Sequence, residues 1–204
     1  WNSFCTNHGI TQYTLSAELG RQATRREVRE LTADDAMDIY REKYFTVPRI
    51  SWLPAEIQPA VFDHGVTAGP GVAIKLLQRL LCSAEFDVLI DGKIGPITRK
   101  AGHRAMGEYG LVFVNAYVEE RIKFYLGLAN KKQSYRVYLR GWTNRAESAL
   151  RLLVMTVSSL RSRKARATFS GVEPIEMKIV EPSLIRAAAA VAMSRFSEML
   201  VPAR

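Results

Sequence analysis

Four short stretches of this 204-residue chain carry the side chains that could do chemistry. The first is CTNHGIT, Cys5 to Thr11, where Thr6, Asn7 and Thr11 place two hydroxyls and an amide around a turn made by Gly9. Such groups commonly satisfy backbone donors and acceptors around a turn. The local reading makes Thr11 the N-cap of a helix starting QYTLSAEL, with Asn7 serving its own loop. The second is Asp63-His64, a carboxylate set in the middle of a helical pattern, where an exposed surface position is the plain reading. The third is DGKIGPIT, a compact turn in which Asp91 and Gly92 reverse the chain and Gly95-Pro96 opens a helix. The fourth is RGWTNR, where Trp142 is either a stacking platform or a core anchor; its place on an apolar stripe favours the core. His8, His64 and His103 have no metal-ligand spacing with Cys or Glu, so no zinc site is expected. Cys5 and Cys82 are far apart and form no disulfide framework; Cys82 is expected within a helix.

The elements that must position these groups are helices. TADDAMDIYREKYF opens with Thr32 as N-cap and Asp34 and Asp35 in the first turn, where carboxylates favour the helix dipole. Ala36, Ile39, Tyr40 and Tyr44 follow at helical spacing. A second helix is expected from Pro54 through AEIQPAVFDHGV, broken by Gly69-Pro70-Gly71. The next, VAIKLLQRLL, sets Ala73, Leu76, Leu77 and Leu80 on one face. FDVLIDGKIGP reads as a loop with room for a short strand pair. Helices follow from Pro96, after Gly110 and after Gly141, the last with a stripe running from Trp142 to Leu160. ATFSGVEPIEMKIVEPS reads as irregular, and a final amphipathic helix is expected near Pro182. The fold class is therefore mostly α.

Composition allows one sizeable core: 48% of the residues are apolar. No apolar run is long enough to span a bilayer. The net charge of +9 favours anionic partners, whether nucleic acid, a membrane surface or a bacterial envelope. The one dense basic run, RSRKAR, reads as a solvated helix end. A nucleic-acid binder is motivated by charge alone, since the chain shows no recognition-helix motif and no basic-aromatic sheet pattern.

These stretches, in this order, resemble the glycoside hydrolase 108 family of secretion-activating muramidases. TN-any-GIT is matched by Thr6, Asn7, Gly9, Ile10 and Thr11. TADDAMDIYREKYF and FDHGVTAGPGVAIKLLQRLL are similar to its following helices. IDGKIGPITRKA and RGWTNRAESAL resemble its peptidoglycan-binding portion. The resemblance covers roughly Thr6 to Leu150.

What the resemblance implies is a lysozyme-like helical domain over 1–68, a helical peptidoglycan-binding region over 69–160 and a basic extension over 161–204. It implies cleavage of the β-1,4 bond between N-acetylmuramic acid and N-acetylglucosamine in bacterial peptidoglycan, with no metal or organic cofactor and a monomer as the working unit. Such chemistry needs a carboxylic acid whose pKa is raised by an apolar setting, and a second group to position water. The family's Glu-Gly-Gly helix should precede CTNHGIT, so the catalytic glutamate is expected upstream of Trp1. Thr6, Asn7, Thr11 and Asp63 would bind substrate or buttress the glutamate, and Asp91, Gly92 and Gly95 would contact peptidoglycan. The protein would act in the periplasm or cell wall, or wait in the cytoplasm for a holin if it is a phage endolysin. A catalytically inactive wall-binding protein is the alternative.

Overall fold

A computed structural model describes residues 5–148. The apolar stripe beyond Ser148, the basic run, the irregular segment, the helix from Pro182 and the 161–204 extension lie outside the described residues.

The chain opens with a two-stranded hairpin, β1 (Thr6–Asn7) and β2 (Ile10–Thr11), pairing Thr6 with Thr11 and Asn7 with Ile10. His8 and Gly9 form its loop, with φ of 50° and 77°. Positive φ at both central residues is the type I′ requirement, whose twist matches that of the strands. Thr11 then caps α1 (Gln12–Leu19), its hydroxyl accepting the Thr14 amide at 3.1 Å. Helix α2 (Arg25–Glu30) begins with a capping box between Thr24 and Glu27. Helix α3 (Ala33–Arg41) begins with another between Thr32 and Asp35, so each helix satisfies two orphan donors locally. A π-turn over Glu42–Thr46 carries α3 onward before a 3-10 turn at Ile50–Trp52.

Helix α4 spans Gln58–Ala68, starting later than the expected Pro54. The reason is Pro59, which lacks an N–H and fits only the first helical turn. Residues 54–57 form a separate turn, closed by the Ile57 amide on the Pro54 carbonyl. Gly69, at φ 94°, breaks α4 from α5 (Pro70–Ser83). No strand forms in the following loop; its polar groups bond to α5 instead, as described below. Helices α6 (Pro96–Tyr109) and α7 (Leu111–Lys131) follow, separated by Gly110 at φ 54°. After a 3-10 turn at Gln133–Tyr135, a further helix, α8, occupies 136–148. It starts before Gly141, which lies inside it. An interior glycine costs only about 1 kcal/mol.

One apolar cluster runs through the described residues, from Ile10 and Val28 through Ile50, Val61, Leu77 and Leu81 to Phe113, Tyr117 and Ala146. It crosses the α4–α5 junction, so the helices on either side of Gly69 share their core. Both cysteines are free; Cys82 lies on α5 and donates its thiol to the Val88 carbonyl.

Candidate functional site

Asp63, on α4, is not a surface carboxylate. It is only 8% exposed, and both of its oxygens are engaged. Oδ2 accepts from Arg121 of α7 at 2.6 Å, and Oδ1 accepts from Arg145 of α8 at 2.8 Å. Arg121 is fully buried. Burial works against its charge, but the neighbouring Asp63 carboxylate and Tyr125 outweigh it and hold the guanidinium above its ordinary pKa. Arg121 Nε also bonds the Tyr125 hydroxyl at 2.9 Å, and that hydroxyl meets Thr67 at 2.7 Å. Two guanidiniums and one carboxylate thus share a buried site that fastens α4 to α7 and α8.

His64, beside Asp63, is completely buried. Its Nδ1 lies 2.9 Å from the Tyr117 hydroxyl, and that hydroxyl donates to the Ala73 carbonyl at 3.1 Å. Tyr117 has one proton and spends it on Ala73, so the network assigns the N–H to His64 Nδ1. Nε2 is then a lone pair with no hydrogen-bond partner among the described residues. Burial, with help from the Arg121 cation, pushes the imidazole down to about 3. The unfolded chain takes up this proton near its ordinary value of about 6.5, and the folded chain does not. Stability therefore falls as pH drops below about 6.5, by up to about 1.4 kcal/mol per unit. Glu27, held at about 2 by Arg21 and Thr24, loses its contribution only at lower pH, below its ordinary 4.5. Urea unfolding between pH 7 and 5 should show the His64 slope, and His64→Phe should flatten it.

The hairpin approaches the same region. Asn7 donates its amide to the Arg29 carbonyl at 3.0 Å and the Leu31 carbonyl at 3.1 Å, tying the turn to the end of α2. The His8 carbonyl accepts from Tyr40 on α3. Burial, with Tyr44 adding to it, raises the Tyr40 phenol to about 12, and Arg145 is near enough to work against that shift. Of the expected substrate-binding residues, Thr11 spends its hydroxyl on the α1 cap, Asn7 on carbonyls and Asp63 on arginines; Thr6 pairs with Thr11 across the hairpin.

The DGKIGPIT turn is organised by a residue that the sequence did not flag. Gln78, on α5, is fully buried. Its Nε2 donates to Asp91 Oδ1 at 2.8 Å, the Lys93 carbonyl at 3.0 Å and Thr98 Oγ1 at 3.3 Å. Its Oε1 accepts from the Gly92 amide at 2.8 Å. Asp91 Oδ1 also accepts from the Lys93 amide, and these bonds lower its pKa. Gly92 sits at φ 81°, where an added Cβ would lie 3.0 Å from the Gly71 carbonyl. Gly95 has φ −100° and open space around it. Gly92→Ala should therefore cost roughly 1–3 kcal/mol, while Gly95→Ala should leave the melting temperature within about a degree or two. Equal shifts would contradict this account of the turn.

Trp142 stacks on Tyr125 and Tyr138, with centroids 5.2 and 5.7 Å apart, and meets Tyr135 edge-on. It is half-buried and packed within an aromatic group. No group of His, Cys, Asp and Glu among the described residues could hold a metal, and no described helix is long and apolar enough to cross a membrane.

Comparison with known proteins matches residues 5–69 to the family described as Glycosyl hydrolase 108. Residues 72–147 match the family described as Predicted Peptidoglycan domain. No curated protein matches. Among solved structures, Brucella abortus SagA superposes with a TM-score of 0.63 at 32% identity, covering 74% of this chain and 79% of that one. The helices divide between these two matches as a lysozyme-like domain and a peptidoglycan domain, fastened together by the Asp63 pairs. The chain belongs to the glycosyl hydrolase 108 family.

Proposed function

We propose that the chain is the body of an N-acetylmuramidase that hydrolyses the β-1,4 bond between N-acetylmuramic acid and N-acetylglucosamine in bacterial peptidoglycan. The observation that carries this reading is the pairing of a glycosyl hydrolase segment with a peptidoglycan segment around one buried charge cluster. Hydrolysis needs a carboxylic acid in an apolar setting to protonate the leaving oxygen. Asp63 is the one buried carboxylate among the described residues, and its oxygens are committed to two guanidiniums. The reading therefore gives the proton to the family's Glu-Gly-Gly glutamate, expected upstream of Trp1, and gives Asp63 a positioning role. Asp63 would hold α4 and the hairpin in register with α7 and α8, so that Thr6 and Asn7 stay beside the sugar and its attacking water. Asp91, Gly92 and Gly95 would form a wall-contacting turn shaped by Gln78.

The test is a pelleting assay with purified sacculi. Residues 1–204 should pellet with the wall at low salt, and part of that binding should persist at 1 M salt, where the Debye length is only about 3 Å. They should release no reducing ends, because general acid help is worth about 10²–10⁴-fold. Strong hydrolysis by these residues alone would show that the acid lies within them. Loss of all binding at high salt would leave only a polycation.

A further inference from the structure

We propose that the basic surface around Trp52 is a subsite for the free carboxylates of peptidoglycan stem peptides. The inference rests on the peptidoglycan reading above and assigns a part of that substrate the reading left unassigned. Helix α6 exposes Arg99, Lys100, His103 and Arg104 within six consecutive residues, and together with Pro96 they line an open pocket of about 540 Å³. Beside it, half-buried Trp52 has two guanidiniums over its ring. Arg49 stands 4.7 Å from the ring centroid and Arg99 stands 5.9 Å away.

His103 Nε2 lies 3.2 Å from the Trp52 carbonyl and fixes α6 to the 3-10 turn. Gly102 faces Leu53 and Pro54, and a Cβ there would meet their side chains at 3.6 Å, an ordinary packing contact. Arg49 holds a left-handed backbone, with φ 60° and ψ 35°. That conformation is costly for a residue with a Cβ, and here it sets the guanidinium over the indole.

Most of the charge on this surface has no acidic partner among the described residues. Among the described residues, Arg49, Arg99 and Lys100 make no salt bridge, and Arg104 reaches only Glu108, at 3.6 Å. Like charges one turn apart on a helix repel, so the array lacks the counter-charge that α2 supplies to Arg26 through Glu30. A guanidinium stacked by its face on an aromatic ring keeps its N–H edges free for a bidentate carboxylate. Stem peptides carry several free carboxylates close together on a short chain, which suits several cations grouped on one short, open helical face. A nucleic-acid backbone would be better served by cations tracking an extended path; here Arg49 and Arg99 meet over Trp52, and Arg104 lies over Phe86 on the same short helical face. The pocket itself is lined by α6 alone, in residues 72–147, and the Arg49–Trp52 pair that borders it lies in residues 5–69.

The test uses the full chain and sacculi stripped of phosphate polymers with hydrofluoric acid, either native or with their carboxylates amidated. The wild type should bind native sacculi about tenfold tighter than amidated ones, a modest contribution from each of several exposed charge contacts. Arg99→Gln/Lys100→Gln/Arg104→Gln should lose that preference and keep its melting temperature. Arg25→Gln/Arg26→Gln/Arg29→Gln, with equal charge removed from α2, should retain the preference. Equal wild-type binding to both sacculi overturns the subsite while leaving the muramidase reading intact. So does equal loss in the two triple variants, or duplex DNA binding that falls more than wall binding in the α6 variant. No binding to either sacculus overturns both the subsite and the peptidoglycan reading.

Discussion

Asp63→Ala is expected to destabilise the protein by about 3–5 kcal/mol, the range for removing one partner of a buried ion pair. For a chain of this size that lowers the melting temperature by roughly 10 °C or more. The cause is the charge left behind: Arg121, fully buried, and Arg145, nearly so, would face each other with no carboxylate between them. Asp63→Asn keeps the volume and removes the charge, so it should lose nearly as much. Arg145→Met should cost less, because it leaves a neutral Asp63–Arg121 pair. This ordering separates an electrostatic hub from a merely well-packed residue. If Asp63→Asn melts with the wild type, the two guanidiniums do not depend on the carboxylate, and the hub is misread. If Arg145→Met costs as much as Asp63→Ala, the excess positive charge is not what makes the site sensitive.

The second large effect belongs to Gln78. Gln78→Leu keeps an apolar side chain of similar size in the core and removes the partner of the Gly92 amide, the Lys93 carbonyl and one Asp91 bond. An unsatisfied buried polar group costs about 1–3 kcal/mol, and several are involved, so a loss of roughly 3 kcal/mol is expected from urea unfolding. The 91–95 turn should also exchange its amide hydrogens faster, starting with Gly92. A stable Gln78→Leu protein with an undisturbed turn would show that α6 and the core hold the turn without the glutamine.

The chain's helical punctuation was legible because its causes are local. Thr32 and Asp35 close a capping box within four residues, Thr11 caps its own helix, and Gly69 and Gly110 take backbone conformations that favour glycine. Pro59 was equally readable, and giving it its proper weight would have moved the start of α4 from Pro54 to Gln58. Asp63 was singled out as unusual, but its partners lie 58 and 82 residues away. Nothing in FDHGV announces two arginines on α7 and α8. Gln78 hid for a similar reason. In LLQRLL it reads as a polar break in an apolar run, and its meaning appears only when the loop thirteen to twenty residues later folds back onto it. The loop itself was read as room for strands because its apolar residues suggest pairing. Its polar groups instead find one side chain that offers both a donor and an acceptor. The basic face of α6 was visible only as part of a diffuse net charge, since Arg49 and Trp52 reach it from another segment.

The measurement that bears most directly on the central claim is the chemistry of the new sugar ends. The product of the complete gene, incubated with purified sacculi and then reduced with borohydride, should yield fragments ending in muramitol, read by mass spectrometry. Changing the glutamate of the expected Glu-Gly-Gly motif to glutamine should abolish them. Fragments ending in glucosaminitol would contradict the muramidase assignment, and sacculi that are bound but never cut would leave a wall-binding protein in its place.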